Sequence, residues 1–186
     1  AALGTNVPVV VHVGWECFNS PGGLGFAGPN HFYTSGSLPT ANQYPVALAN
    51  TFAGRDLNGG EAEIIMGLNA ELAGSNSCGF ATNEWYISTA AAVGGGQIDL
   101  YSVVLHELGH GLGFLGSAFQ EGSQAPALEP TRYAYDAFVY TGETRLLSTA
   151  NPNAQLTVDN LFFDLGGGHR TRLYSPTTFE TTFTKA

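Results

Sequence analysis

Lysine is almost missing from this chain of 186 residues. Lys185 stands alone beside five arginines, against 15 acidic side chains, for a formal charge of −9. So few cations exclude nucleic acid or an anionic membrane as the main partner, since both are held by clusters of Lys and Arg. A polypeptide partner or substrate is compatible with this charge. Long apolar runs are absent too: no stretch approaches the roughly 18 residues that a membrane helix needs. Charged residues of either sign make up only 11%, against 25 glycines and 9 prolines, which reads as a turn-rich globular domain. Low charge together with abundant Gly, Asn, Ser and Thr points to an extracellular protein, and a monomer is the expected state. Cysteine is scarce, and the pair Cys17 and Cys78 reads as one disulfide in an exported chain, with two unpaired small hydrophobes as the alternative. No basic segment followed by an apolar run opens the sequence, so for an exported protein the expected form is the mature one.

What is present reads as an α+β chain without internal repeats. One domain over 1–186 is expected, with an N-terminal lobe of about 1–113 and a C-terminal lobe of about 114–186. Val7 to Val13 (VPVVVHV) is a β-branched run and predicts a buried strand; His12 within it reads as structural. Trp15 to Thr40 is dense in Gly, Pro, Asn and Ser, which predicts an irregular excursion or hairpin, with His31 in a solvated loop. Thr40 to Gly54 predicts a helix stopped by glycine. Asp56 to Glu63 (DLNGGEAE) reads as a polar turn, with a Ca²⁺ loop as the alternative, although the full spacing of that motif is lacking. Ile64 to Leu72 and Trp85 to Ser88 predict strands, and Ala90 to Gly96 a connector. Beyond the next helix, Gln120 to Thr131 predicts a loop, Tyr133 to Tyr140 a short element, and the last 45 residues turns with brief strand-like pieces such as LFF and RLY, an irregular C-terminal part.

Asp99 is placed to cap a helix in which Leu100, Val103, Val104 and Leu108 recur at helical spacing. Within it stand His106, Glu107 and His110, in the string HELGH. Residues i and i+4 share a helical face, so both imidazoles can point at one ion, and neutral imidazole suits Zn²⁺. Glu107 is rotated about a quarter turn from His106, within reach of a water on that ion. Such a string arises by chance on the order of once in 100 chains of this composition.

The longer string HELGHGLGF resembles the active-site helix of zincin metallopeptidases. Gly113 matches the metzincin pattern HExxHxxGxxH, but Gly116 stands where the third histidine belongs. Leishmanolysin-type metzincins carry a similar string with a distant third histidine. A group of bacterial secreted peptidases, with HELGHGLGF and a downstream segment like LYSPTTFE, resembles this chain from about Tyr44 to Glu180. In that group the third histidine and a methionine turn follow the LYSP segment, and here the sequence stops at Ala186. The only methionine is Met66, upstream of the helix.

The resemblance implies a zincin-like fold, a twisted mixed sheet packed on the active-site helix, and a zinc endopeptidase in which Glu107 is general base to a metal-activated water. His106 and His110 would be ligands. The third ligand is left open among His169, which follows Gly166, Gly167 and Gly168, the carboxylates of Glu129 and Asp136, and a residue beyond Ala186. Ile64 to Leu72 is the candidate edge strand for holding substrate, and Tyr133, Tyr135 or an arginine for steadying the oxyanion. Two other classes compete: a catalytically silent zinc-binding domain or inactive fragment, and a metal-independent adhesion or carbohydrate-binding domain suggested by the aromatic, Gly/Asn-rich loops between Trp15 and Tyr44.

Overall fold

The computed structural model describes residues 6–18, 23–34, 36–73, 84–88, 92–121, 123–157 and 160–173. The architecture is mixed α+β, with several small sheets and few helices. Its elements up to the motif helix are β1 (Val11–Glu16), β2 (Gly25–Pro29), β3 (Phe32–Tyr33), β4 (Tyr44–Pro45), α1 (Val46–Ala53), β5 (Ile64–Asn69), β6 (Glu84–Tyr86), β7 (Gln97–Asp99) and α2 (Leu100–Gly111). Beyond it come β8 (Ala118–Phe119), β9 (Ala127–Leu128), β10 (Val139–Thr141), β11 (Thr144–Arg145), α3 (Pro152–Gln155), β12 (Leu161–Gly166) and β13 (His169–Leu173). The chain divides into two compact units, Ala1–Tyr33 with Pro45–Phe114, and Thr34–Tyr44 with Leu115–Ala186.

The first unit is built on a three-stranded mixed sheet of order β1-β5-β2, in which β1 runs parallel and β2 antiparallel to β5. Helix α2 packs on β2 and β5. Ile64, Met66 and Leu68 of β5 are buried at alternate positions on the face that meets the helix, as a strand period of two requires. Two expectations are corrected here. Ile64 to Leu72 is no edge strand: β5 is the central one, and among the described residues β1 and β2 form the edges. The strand expected at Val7 to Val13 lies later, at β1, and it is not buried, since Val13 and Trp15 are about half exposed. The Gly-rich stretch from Trp15 to Thr40 contains β2, whose Phe26 ring lies over Gly67, so close that a Cβ there would fall 2.3 Å from it.

Helix α1 forms as the sequence suggests, with Pro45 as its N-cap and Gly54 (φ 64°) ending it. Behind it a polar network ties the turn of Asp56 to Glu63: Asn50 donates to Glu63 Oε1 (3.1 Å) and accepts from Leu57 N–H (3.0 Å), while Glu63 Oε2 accepts from Val10 N–H (2.6 Å). Both oxygens of Asp56 accept backbone N–H groups, from Asn58, Gly59 and Gly60. This is a polar turn folded on its own carboxylates. His31 is exposed, as expected, and pairs with Glu61 at 2.7 Å.

The irregular C-terminal part is also corrected. The second unit holds a four-stranded antiparallel sheet of order β11-β10-β12-β13. Its odd-numbered residues Val139, Leu161, Phe163 and Leu173 turn inward onto Leu128, Leu146 and Leu156. The strands are two to six residues long; the strand-like pieces LFF and RL fall within β12 and β13, while β10 and β11 are too short for a hydrophobic pattern to mark them. Cys78 lies outside the described residues, and with it the expected pairing to Cys17. Among the described residues no helix is long and apolar enough to cross a membrane.

Candidate metal centre

Helix α2 starts where Asp99 accepts from the backbone N–H of Ser102. The Ser102 hydroxyl, which also donates to this carboxylate, holds Asp99 below the usual carboxylate range. Its buried positions are Glu107 and Gly111, four apart on the face turned to the sheet. The apolar stripe read from the sequence is only half-buried, and Leu105 and Tyr101 are exposed, so the helix is less enclosed than its pattern implies. Tight apposition is made by small residues. Gly111 rides on Ile64, and Gly25 of β2 leaves room for the Glu107 stem, with a Cβ there falling 3.3 Å from Glu107 Cγ.

His106 and His110 project side by side from the neighbouring face. Their rings meet edge to face at 4.6 Å between centroids, and their Nε2 atoms are 3.0 Å apart. The other nitrogen of His110, Nδ1, lies 2.9 Å from the Phe114 carbonyl. A carbonyl only accepts, so Nδ1 carries the hydrogen, and in the neutral ring Nε2 keeps a lone pair that accepts from His106 Nε2. The helix end creates this contact. Gly113, at φ 111°, allows Phe114 N–H to reach the Gly109 carbonyl (2.9 Å) and Gly113 N–H the His110 carbonyl (3.1 Å), the paired bonds of a Schellman motif. That closure swings the Phe114 carbonyl beneath the imidazole. Two nitrogens about 2.0–2.1 Å from one tetrahedral zinc are about 3.3 Å apart, so the observed spacing and lone-pair direction fit two ligands of such an ion.

The chain matches no protein-family model, no curated protein and no solved structure.

The residues weighed as third ligand all belong to the second unit. His169 is exposed at the start of β13, opposite Gly166. The three glycines before it serve the hairpin: Gly167 and Gly168 (φ 61° and 81°) make its two-residue turn, and Gly166 (φ 78°) follows the bulge after Asp164, the backbone that a type I′ turn demands. Glu129 is exposed, with its N–H bonded to the Ser117 carbonyl (2.8 Å). Asp136 is buried and structural: Oδ1 accepts from Ser117 N–H (2.9 Å) and Oδ2 from Tyr133 N–H (2.8 Å). Gly116, at the metzincin histidine position, is closely packed: a Cβ would fall 3.1 Å from Tyr135 and 3.2 Å from Asp136 Oδ1, so a side chain there would have to displace these neighbours by a few tenths of an ångström. Among the described residues no group of three or more His, Cys, Asp or Glu side chains is arranged to hold one metal ion.

Tyr135 stacks on Phe163 with centroids 4.6 Å apart. Burial, and next the adjacent Asp136 charge, push its phenol up to about 12. Because the folded value exceeds the ordinary value of 10.0, the neutral phenol stabilises the fold fully below pH 10, and that contribution is lost as pH rises from 10 towards 12. Alkaline unfolding followed by tyrosinate absorbance should therefore show one late-ionising tyrosine, absent from Tyr135→Phe. Ionisation of every tyrosine near pH 10 with the fold intact would contradict this.

Sequence reasoning passed over three contributors: Gly25, Gly111 and the Phe114 carbonyl. Gly25 falls in the stretch expected to be irregular or a hairpin, Gly111 counts in the sequence only against helix propensity, and the third carries no side-chain signal. Gly111 had one readable cue, its position four residues after Glu107.

Proposed function

We propose that the chain is a zinc-dependent endopeptidase of zincin type, in which His106 and His110 hold the metal and Glu107 is the general base. The observation that carries this reading is the convergence of two imidazole Nε2 atoms at 3.0 Å, one of them oriented by a backbone carbonyl. Bound zinc supplies Lewis acidity to water and to the scissile carbonyl. Glu107, one residue from the first ligand and turned towards the sheet, takes the proton from the attacking water and returns it to the leaving amine. Substrate lies extended along the outer edge of β2, the edge strand on which α2 packs, held by main-chain pairing. The mixed sheet backed by α2 is consistent with a zincin-like fold, and the low-charge composition with secretion. A second reading, a catalytically silent zinc-binding domain, draws on the lack of a three-ligand group among the described residues.

Purified protein incubated with casein separates these readings. The expected result is near-stoichiometric zinc and cleavage that a chelator stops and added zinc restores. Zinc retained without cleavage favours the silent domain, and neither zinc nor cleavage overturns both. Zinc content of His169→Ala, Glu129→Ala and Asp136→Ala, with circular dichroism to identify any variant that has not folded, then assigns the third ligand to the folded variant that alone releases the metal, and zinc retained in all three places that ligand elsewhere.

A further inference from the structure

Away from the metal centre, the turn between α1 and β5 holds the only Asn-Gly dipeptide in the chain, Asn58-Gly59. The turn itself demands the glycine. Gly59 and Gly60 stand at φ 69° and 86°, a region that residues with a Cβ rarely adopt, and their N–H groups donate to Asp56 Oδ1 (3.1 Å) and Oδ2 (2.7 Å). Gly59 is exposed, and nothing lies within 4 Å of a Cβ built on it. The backbone nitrogen that follows Asn58 thus has no side chain of its own residue to shield it. In that context an asparagine amide is most open to attack by the next nitrogen of the chain.

Two sets of contacts hold that reaction off while the turn is closed. The Asn58 side-chain amide is pinned at both atoms: Nδ2 donates to the Glu61 carbonyl (2.6 Å) and the Ala62 carbonyl (3.4 Å), and Oδ1 accepts from Asn50 Nδ2 (3.3 Å). The Gly59 N–H, which must be lost for its nitrogen to become a nucleophile, points at a carboxylate, and one negative charge disfavours a second beside it. Asp56 Oδ1 also accepts from Asn58 N–H at 2.8 Å, which keeps that carboxylate against the same peptide unit. The network runs on to the start of β5. Asn50 Nδ2 also donates to Glu63 Oε1 (3.1 Å), and the buried Glu63 accepts from Val10 N–H through Oε2 (2.6 Å).

We propose that Asn58 is a modification site gated by this turn: closed, the turn protects it; opened, it lets Asn58 deamidate, and the product keeps the turn from closing as before. In the open turn the Gly59 nitrogen bonds to Asn58 Cγ, the Cγ–Nδ2 bond breaks, and ammonia leaves with the proton from Gly59 N–H. Water then opens the five-membered imide at either carbonyl, giving aspartate or isoaspartate. One water is taken up and one ammonia released, with no oxidation or reduction, and the new acid passes its proton to the ammonia. Residue 58 then has no side-chain N–H to give to the Glu61 and Ala62 carbonyls. It also brings a negative charge to a turn that already carries Asp56, Glu61 and Glu63, and like charges this close repel. Of the basic side chains next to the turn, His31 is engaged with Glu61 at 2.7 Å, and Arg55 pairs with none of these carboxylates among the described residues. In isoaspartate the backbone is one carbon longer as well, which stretches the span that the Asp56 carboxylate closes.

Peptide mapping by mass spectrometry reads the reaction directly, on the full chain aged in warm, mildly alkaline buffer with and without denaturing urea. In urea, Asn58 should convert ahead of every other asparagine. In buffer it should convert at least about tenfold more slowly, because its amide must first leave three hydrogen bonds. Asp56→Asn removes the charge that faces the Gly59 N–H, so it should raise the rate in buffer about tenfold and leave the rate in urea unchanged. Asn58→Asp, which mimics the product, should melt several degrees below wild type, and below Asn58→Ala, which loses the same bonds without gaining a charge. Equal rates for Asn58 in buffer and in urea overturn the gate, and another asparagine that outruns Asn58 in urea overturns the site. An Asn58→Asp chain as stable as wild type shows that the turn closes again and removes that part of the proposal. Circular dichroism identifies any variant that has not folded, and the comparison of wild type in the two solvents stands without the variants.

Discussion

Replacing Glu107 with glutamine is expected to lower peptide-bond hydrolysis by about 10²–10⁴-fold while zinc content stays that of the wild type. The magnitude is that of a lost general base. The two side chains have nearly the same shape, so the stem still fits beside Gly25 and the buried position, 7% exposed, is not re-cut. What changes is that an amide nitrogen cannot take a proton from water. The comparison that matters is kcat at saturating substrate, because ground-state contacts are untouched. Residual activity above one tenth of wild type would place the base elsewhere and remove Glu107 from the mechanism. Loss of zinc with activity would make Glu107 a structural support of the metal centre.

Two glycines of the same helix should respond to alanine with opposite signs. At Gly111 a Cβ would fall 2.5–2.8 Å from three carbons of Ile64, and Ile64 is fully buried, so it cannot swing aside. Overpacking of this kind costs about 1–3 kcal/mol. The helical preference for Ala over Gly, about 1 kcal/mol, does not offset it at the upper end. Gly111→Ala should therefore lower the melting temperature by several degrees, at about 2–8 °C per kcal/mol for domains of this size range. At Gly109 the nearest heavy atom to a Cβ is Phe114 Cβ at 4.0 Å, which is ordinary contact. Gly109→Ala should raise the melting temperature on propensity alone. If both variants move in the same direction, propensity rather than the Ile64 contact governs this helix. Because His110 precedes Gly111, the destabilised variant should also bind zinc more weakly.

The site was legible where its determinants are local. Helical spacing puts His106 beside His110 whatever the rest of the chain does, and Asp99 and Gly113 mark the two ends through capping chemistry that acts within a few residues. Whether β5 is central or at an edge was not legible, because β1 and β2 reach it across long stretches of chain and no local pattern records which neighbours a strand acquires. The stretch around Gly25 looked like loop for a related reason. There the glycine content reflects a close approach by Glu107, whereas from Gly166 to Gly168 a similar density reflects a hairpin turn. Composition does not distinguish the two. Hydrophobic spacing overstated the enclosure of α2, since Leu105 and Tyr101 face outward while an ionisable residue, Glu107, faces the sheet.

The short excursion Thr34–Tyr44 leaves the first unit and belongs to the second, where Gln43 N–H bonds to the Arg132 carbonyl and Ala134 N–H to the Gln43 carbonyl. Asn42 and its acceptor at Tyr133 are 91 residues apart in the chain. During synthesis at about 5–20 residues per second, the segment waits roughly 5–20 seconds for a partner. In that interval all of the first unit through α2 has left the ribosome and begun to pair. The second unit therefore closes last, on a strap laid down before the helix that carries His106 and His110 existed.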